Sequence, residues 1–233
     1  MHEQKDEAYF ADNSDRKEMH EEILRRVSRI SDEFKRAFDF IKDYPKSVSF
    51  FGSARVKEGN PSYERARVLS GKIAKELGYT VVSGGGGGIM EASNRGAHEA
   101  GGESVGLNIK LPKEQELNPY LTKSMDMSYF FVRKTALSFA AETYIFFPGG
   151  FGTLDEFFEI ITLIQTNKIP RVPVILVGRE YWTPLLDFMQ KTLVKNGYID
   201  EKDMNIFKIA ETDEEIVDII RQVPVRLGIK SKR

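Results

Sequence analysis

Apolar residues at Met19, Ile23, Val27, Ile30, Phe34, Phe38 and Ile41 recur at spacings of four and three. That period puts them on one face, so residues 15–42 are expected to form one long amphipathic helix before any strand. Its stripe needs a cover, supplied either by this domain's own sheet or by a twin subunit. Acidic residues mixed into the polar face argue against a helix lying on a membrane.

Beyond this helix, short apolar runs alternate with helical stripes. Residues 47–52, 79–82, 103–109, 124–128, 145–147, 172–177 and 205–209 read as strands. Asn60-Pro61 supplies a cap and a proline at the first helical position; Ala66, Leu69, Ile73 and Leu77 form the buried stripe, and Gly78 stops the helix. A second helix follows a glycine run and continues to about Ala100. A third covers 129–141, with Phe130, Leu137, Phe139, Ala140 and Ala141 apolar, and a fourth runs from Thr153. Thr183-Pro184 opens a helix bearing Trp182, Leu185, Leu186, Met189 and Leu193, with Trp182 in the core. Thr212-Asp213-Glu214-Glu215 reads as a capping box for a last helix through Ile216, Ile219 and Ile220. Strands alternating with helices predict an α/β fold, a mostly parallel sheet with helices on both faces. Residues 111–123, with Pro112 and Pro119, form a polar excursion suited to a lid or a contact surface. The expected organisation is a loose, disordered stretch over 1–13, a helical extension over 14–44, one domain over 45–225 and a basic tail over 226–233.

Composition narrows the classes. Lys plus Arg number 34 against 35 Asp plus Glu, a formal net charge of -1, so no general basic field draws this chain to nucleic acid. The absence of cysteine excludes disulfides, thiolate catalysis and cysteine metal sites. Residues 1–22 are crowded with charge and lack an apolar core of signal-peptide length, and no run approaches the ~20 residues needed to cross a bilayer. The expectation is a cytoplasmic protein that engages neither membrane nor nucleic acid.

The candidate chemistry lies in two glycine turns. Residues 145–165 read I-F-F-P-G-G-F-G-T-L-D-E-F-F-E-I-I-T-L-I-Q, a buried strand feeding through Pro148, Gly149, Gly150 and Gly152 into a helix. The first backbone N–H groups of such a helix lack intrahelical partners and sit at the positive end of its dipole, which suits a phosphate. The second turn, Ser83 followed by Gly84 to Gly88, also joins a strand to a helix. Five glycines are costly to order, and at such a junction they fit a close backbone approach to a ligand better than a flexible linker. No Gly-Lys-Ser/Thr follows, so this is no Walker loop. Ser53 stands at the carboxyl end of the first strand, the edge where open parallel sheets bind ligands.

Glu156, at the mouth of the first turn, fits two roles. It could face a ligand, or Thr153-Leu154-Asp155-Glu156 could be a capping box that merely holds a backbone N–H; local spacing does not separate them. Arg133 and Lys134 lie 100° apart on their helix and cannot both face the core, so solvation or pairing with an acid is the ordinary reading.

Residues 83–90 (S-G-G-G-G-G-I-M) and 148–156 (P-G-G-F-G-T-L-D-E), with Arg133-Lys134 between them, resemble the LONELY GUY family of nucleoside 5′-monophosphate phosphoribohydrolases, often labelled "possible lysine decarboxylase". The resemblance spans roughly 47–209. It implies a Rossmann-like three-layer sandwich, a homodimer or larger homo-oligomer, no cofactor, and hydrolysis of a nucleotide's N-glycosidic bond to free base and ribose 5-phosphate. It also implies Arg133 and Glu156 as the catalytic pair, with Gly84, Gly85, Gly86, Met90, Gly149, Gly150, Gly152 and Thr153 on the nucleotide, joined by Ser53 and Lys134. Those residue types suit the reaction: cleavage develops positive charge on the sugar, so a carboxylate near C1′ can stabilise it or orient a water. An arginine fork can hold that carboxylate ionised and grip phosphate or ribose hydroxyls. Tyr129-Phe130-Phe131-Val132 replaces the polar M-H-x-R-K run of plant members, and 163–168 (L-I-Q-T-N-K) replaces their W-x-Q-L-G-x-H-x-K-P segment. With the long first helix, these features resemble the bacterial long-form branch and leave AMP and cytokinin riboside 5′-monophosphates both as expected substrates.

Three rivals can be weighed. A non-catalytic nucleotide-binding or carrier protein could use the same fold. Lysine decarboxylation needs a Schiff-base lysine and a partner for the pyridine nitrogen of pyridoxal phosphate, and the sequence singles out neither. A metal hydrolase has little support, because His2, His20 and His98 are the only histidines and none has ligand spacing.

Overall fold

The structure, a computed structural model, describes residues 13–110 and 117–225, with side chains from residue 16 onward. The expectations for residues 1–12, for 111–116 of the excursion and for the tail at 226–233 lie outside the described residues.

Seven strands, β1 (Ser47–Phe51), β2 (Thr80–Ser83), β3 (Ser104–Ile109), β4 (Lys123–Met127), β5 (Thr143–Phe146), β6 (Val174–Val177) and β7 (Phe207–Ala210), form one sheet. Their order is β4-β3-β2-β1-β5-β6-β7, and every pairing is parallel. Helices α1 (Asn13–Ile41), α2 (Pro61–Lys72), α3 (Ile89–Glu99), α4 (Phe130–Phe139), α5 (Phe151–Gln165), α6 (Arg179–Phe188) and α7 (Asp213–Arg221) cover both faces. Alternation along the strands decides which face each side chain meets. Phe51, Phe146 and Leu176 join the core built on α1, α4, α5 and α6, while Phe50, Ile145 and Ile175 join the core on α2, α3 and α7. A strand buried on both sides carries a near-continuous apolar run, which is why β5 and β6 read so plainly.

Local signals act as expected at α2. The Asn60 side chain accepts from Ser62 N–H at 2.9 Å, Pro61 opens the helix, and Gly78 closes its π-helical last turn at φ +64°. Elsewhere tertiary packing moved the boundaries. Helix α6 starts at Arg179, after Gly178 turns the chain at φ +95°, so Pro184 lies inside the helix rather than at its start. The extra turn lets Trp182 bury completely and donate from Nε1 to the Val177 carbonyl at 3.1 Å. At α7 only half of the capping box forms. Thr212 accepts from Glu215 N–H, while the Glu215 carboxylate takes the N–H of Glu211 instead of that of Thr212.

The long helix is covered over half its length. Ile30, Phe34 and Phe38 pack on the core and Ala37 and Ile41 are buried, whereas Met19, Ile23, Leu24 and Val27 are at least half exposed. The carboxyl-terminal half therefore docks on the chain's own fold, and the apolar positions of the other half remain open.

Candidate functional site

Strand order reverses between β1 and β5, so the loops leaving β1 and β5 separate there and open a crevice at the carboxyl edge of the sheet. Ser53 bridges the two glycine turns across it. Its N–H donates to the Pro148 carbonyl at 3.0 Å, and its own carbonyl accepts from Ile89 N–H at 3.0 Å. Its hydroxyl accepts from Arg55 N–H. The bridge demands bare backbone on both sides. A Cβ on Gly88, at φ +69°, would strike the Ser53 carbonyl, and one on Gly149 would strike the Thr153 hydroxyl and the Ser53 nitrogen. By contrast, a Cβ on Gly150 or Gly152 would meet nothing within 4 Å. These two glycines face open space.

Helix α5 begins at Phe151, with Gly150 as an extended N-cap that makes no side-chain cap. Its ladder starts with Leu154 N–H to Gly150 carbonyl at 3.1 Å. The N–H groups of Phe151, Gly152 and Thr153 precede that ladder and lack partners within it, an arrangement that suits an anion. Thr153 is thus the third helical residue and Glu156 the sixth, so the capping-box role for Glu156 is overturned. Packing of Gly149 against Ser53 set the helix start one turn earlier than the Thr-x-x-Glu spacing implied. Tyr181 braces the turn by donating its hydroxyl to the Gly149 carbonyl at 2.7 Å.

Helix α4 supplies the cation. Arg133 is 11% exposed and donates from Nε to the Leu107 carbonyl at 2.7 Å. Its Nη1 lies 3.7 Å from Glu156 Oε1, and Glu156 is 18% exposed. The guanidinium also lies against Gly84, where a Cβ would collide with it and with the Met90 sulfur. One side chain therefore links the polyglycine turn to the acid. Burial pushes the Glu156 carboxyl up to about 7, opposed first by Arg133. Burial likewise lowers the Arg133 guanidinium, with Glu156 holding it up. Of the two ordinary readings, solvation does not apply to this arginine, and proximity to an acid does.

Lys134 takes another direction. Its amine pairs with Asp155 at 2.8 Å and Glu159 at 3.3 Å, clamping α4 to α5. Its charge favours the ionised form of Glu156 and offsets Asp155 and Glu159, which push that carboxyl up. Gly85 and Gly86 turn their carbonyls toward Asn118, a buried residue that sequence reasoning passed over. The Asn118 amide nitrogen donates to Gly85, Gly86 and Asn94 oxygens at 3.0–3.1 Å, and its N–H donates to Gly85 at 2.9 Å. The described end of the polar excursion is thereby fastened to the glycine turn. Neither Asn118 nor Tyr181 carries a local signal; each is recognisable only once the turns are in place. Among the described residues there is no group of three His, Cys, Asp or Glu able to hold a metal, and no helix long and apolar enough to cross a membrane.

Residues 90–220 match the family described as "Possible lysine decarboxylase". A relative from Oryza sativa subsp. japonica, named cytokinin riboside 5′-monophosphate phosphoribohydrolase LOG, is 33% identical over 172 residues, 72% of this chain and 69% of that protein. The X-ray structure of TM1055 is 30% identical at a TM-score of 0.57, covering 76% of this chain and 99% of its own. The molybdenum cofactor binding protein from Rippkaea orientalis is 20% identical at a TM-score of 0.56, over 76% of this chain and 95% of its own. At that identity the likeness concerns the fold alone.

Proposed function

The chain belongs to the family described as "Possible lysine decarboxylase", which includes the LOG phosphoribohydrolases, and from that premise we propose that it hydrolyses the N-glycosidic bond of a nucleoside 5′-monophosphate. The observation that carries this reading is the position of Glu156. It is no cap, it is largely shielded and 3.7 Å from Arg133, and it stands one turn beyond the unpaired N–H groups at the start of α5. A 5′-phosphate on those groups fixes the sugar without reacting, and the acid is left for C1′.

In the proposed reaction the C1′–N bond breaks, the base leaves with the electron pair, and water forms the new C1′–O bond. Glu156, ionised, stabilises the cationic sugar and takes the proton of the attacking water; the base gains a proton, giving free base and ribose 5-phosphate. A carboxyl that titrates at about 7 is near the optimum for taking and returning a proton at neutral pH. The substrates proposed are AMP and cytokinin riboside 5′-monophosphates. Lysine decarboxylation, the family's label, finds less support, because Lys134, the lysine beside Arg133, is held as a cation between two carboxylates. The open stripe on α1 supports a homodimer or larger homo-oligomer as the working form.

Incubation with AMP and with a cytokinin riboside 5′-monophosphate, followed by chromatography for free base and ribose 5-phosphate, tests the proposal. Release of both products is the expected result. Tight nucleotide binding without release would favour the non-catalytic binding reading.

A further inference from the structure

We infer that Glu33, on the long first helix, is a positioning residue for Arg133: it fixes the start of α4 and so aims the guanidinium at Glu156. The kinetic consequences rest on the hydrolase reading above; the geometry does not.

Glu33 is an acid 2% exposed on the side of the helix where Ala37 is buried and Ile30 and Phe34 pack on the core. Both carboxylate oxygens are engaged, Oε2 by the N–H of Ser128 and Oε1 by the N–H of Tyr129, each at 2.9 Å. Tyr129 is the N-cap of α4, which has no side-chain cap of its own. A carboxylate from 96 residues away therefore takes the N-cap N–H that a Glu or Gln on the first turn of the helix takes in a capping box, and it meets the positive end of the α4 dipole. Arg36 approaches only to 4.0 Å and is 65% exposed, so the two amides, not a cation, hold this acid.

The coupling to the site is short. Tyr129 gives its N–H to Glu33, and its carbonyl accepts the N–H of Arg133 at 3.1 Å. One residue thus joins the buried acid to the backbone of the arginine. Ring contacts of Phe34 with Phe131 and of Phe38 with Phe139 press α1 onto α4, but apolar contacts fix depth better than rotation. Two hydrogen bonds to successive amides fix rotation and register as well. Arg133 has little slack for error, being wedged against Gly84 and Met90 and bound to Leu107.

The test uses the full chain with Glu33→Gln, which keeps size but presents a donor to one of the two amides, and with Ile41→Ala, which loosens α1 without touching the carboxylate. Titration of Glu156 is followed by NMR on protein with carboxyl-labelled glutamate, the signal assigned by its loss in Glu156→Gln. The charged groups acting on Glu156 are Arg133 and Lys134 from α4 and Asp155 and Glu159 from α5, and these stay in every variant compared. In Glu33→Gln the Glu156 midpoint should rise, since a displaced Arg133 no longer opposes burial. On AMP, kcat should fall about tenfold to a hundredfold, and by more than KM rises, as expected for a misplaced catalytic group. Ile41→Ala should lose thermal stability and leave both quantities at their wild-type values. An unchanged midpoint and kcat in Glu33→Gln would overturn the inference, and so would equal shifts in both variants at matched stability. If wild-type protein releases no base, the hydrolase reading fails while the NMR midpoint still decides the role of Glu33. Should Glu33→Gln not fold, Glu33→Asp, which keeps the charge and shortens the reach by one methylene, is judged by the same two criteria.

Discussion

Arg133 Nη1 and Glu156 Oε1 stand 3.7 Å apart, close enough for charge to act and too far for a hydrogen bond between them. The carboxylate therefore feels its cation and keeps both oxygens available to a water or a sugar hydroxyl. A tighter pair would have quenched the acid; a wider one would have left it protonated by burial.

Replacing Glu156 with Gln should lower kcat about 10²–10⁴-fold, the usual range for a positioned proton-transfer group, with a smaller effect on KM. The same variant should be more stable than wild type in alkaline buffer. The folded carboxyl titrates at about 7 and the ordinary value is 4.5, so the native state binds its proton more tightly than the unfolded chain does. Stability is lost as pH rises between those values, up to ~3 kcal/mol, and Gln escapes that loss. Thermal melts at pH 5 and pH 8.5 check both the sign and the size.

The pH profile of kcat/KM should fall on its acid side with an inflection near 7, because the ionised acid is the working form. Lys134→Met should move that inflection upward. Its removal leaves Asp155 and Glu159 unbalanced beside Glu156, and like charges disfavour ionisation. An inflection that stays in place would show that Lys134 does not act on Glu156.

Two glycine substitutions should separate fold from ligand. Gly84→Ala forces a methyl into Arg133 and Met90, so it should cut activity at least about tenfold by displacing the arginine. Gly150→Ala meets open space in the free protein, so its melting temperature should hardly change while AMP affinity drops. Calorimetric titration with AMP beside thermal melts distinguishes the two.

Asn118→Ala would leave the buried oxygens of Gly85, Gly86 and Asn94 without that donor, a loss of about 1–3 kcal/mol. KM should rise with it, because the turn loses a donor that orients the Gly85 and Gly86 carbonyls. Urea unfolding and steady-state kinetics report the two effects.

The open apolar stripe should assemble copies of the chain. Sedimentation is expected to show a dimer or larger at micromolar concentration, and Ile23→Glu with Val27→Glu should shift it toward monomer. A wild-type monomer under those conditions would sink the assembly reading.

The alternation of strands and helices, the caps at Asn60 and Gly78, and the glycine turns that close β2 and β5 were legible in the chain itself. Each depends on residues within a few positions of one another, and hydrophobic period and turn chemistry are local quantities. The role of Glu156 was not legible, since the Thr-x-x-Glu spacing serves a cap as well as a site; the choice came from Ser53 packing on Gly149 and shifting the helix start to Phe151. Arg133 and Lys134 are adjacent in sequence, yet one is held against Leu107 and Glu156 and the other is clamped between Asp155 and Glu159. Strand order alone brings those partners together, across loops and helices that no short-range pattern measures. Length, charge and period thus fixed what kind of sheet forms and where its bends fall; which acid stands beside Arg133, and which distant groups surround the pair, was settled by packing between segments far apart in the chain.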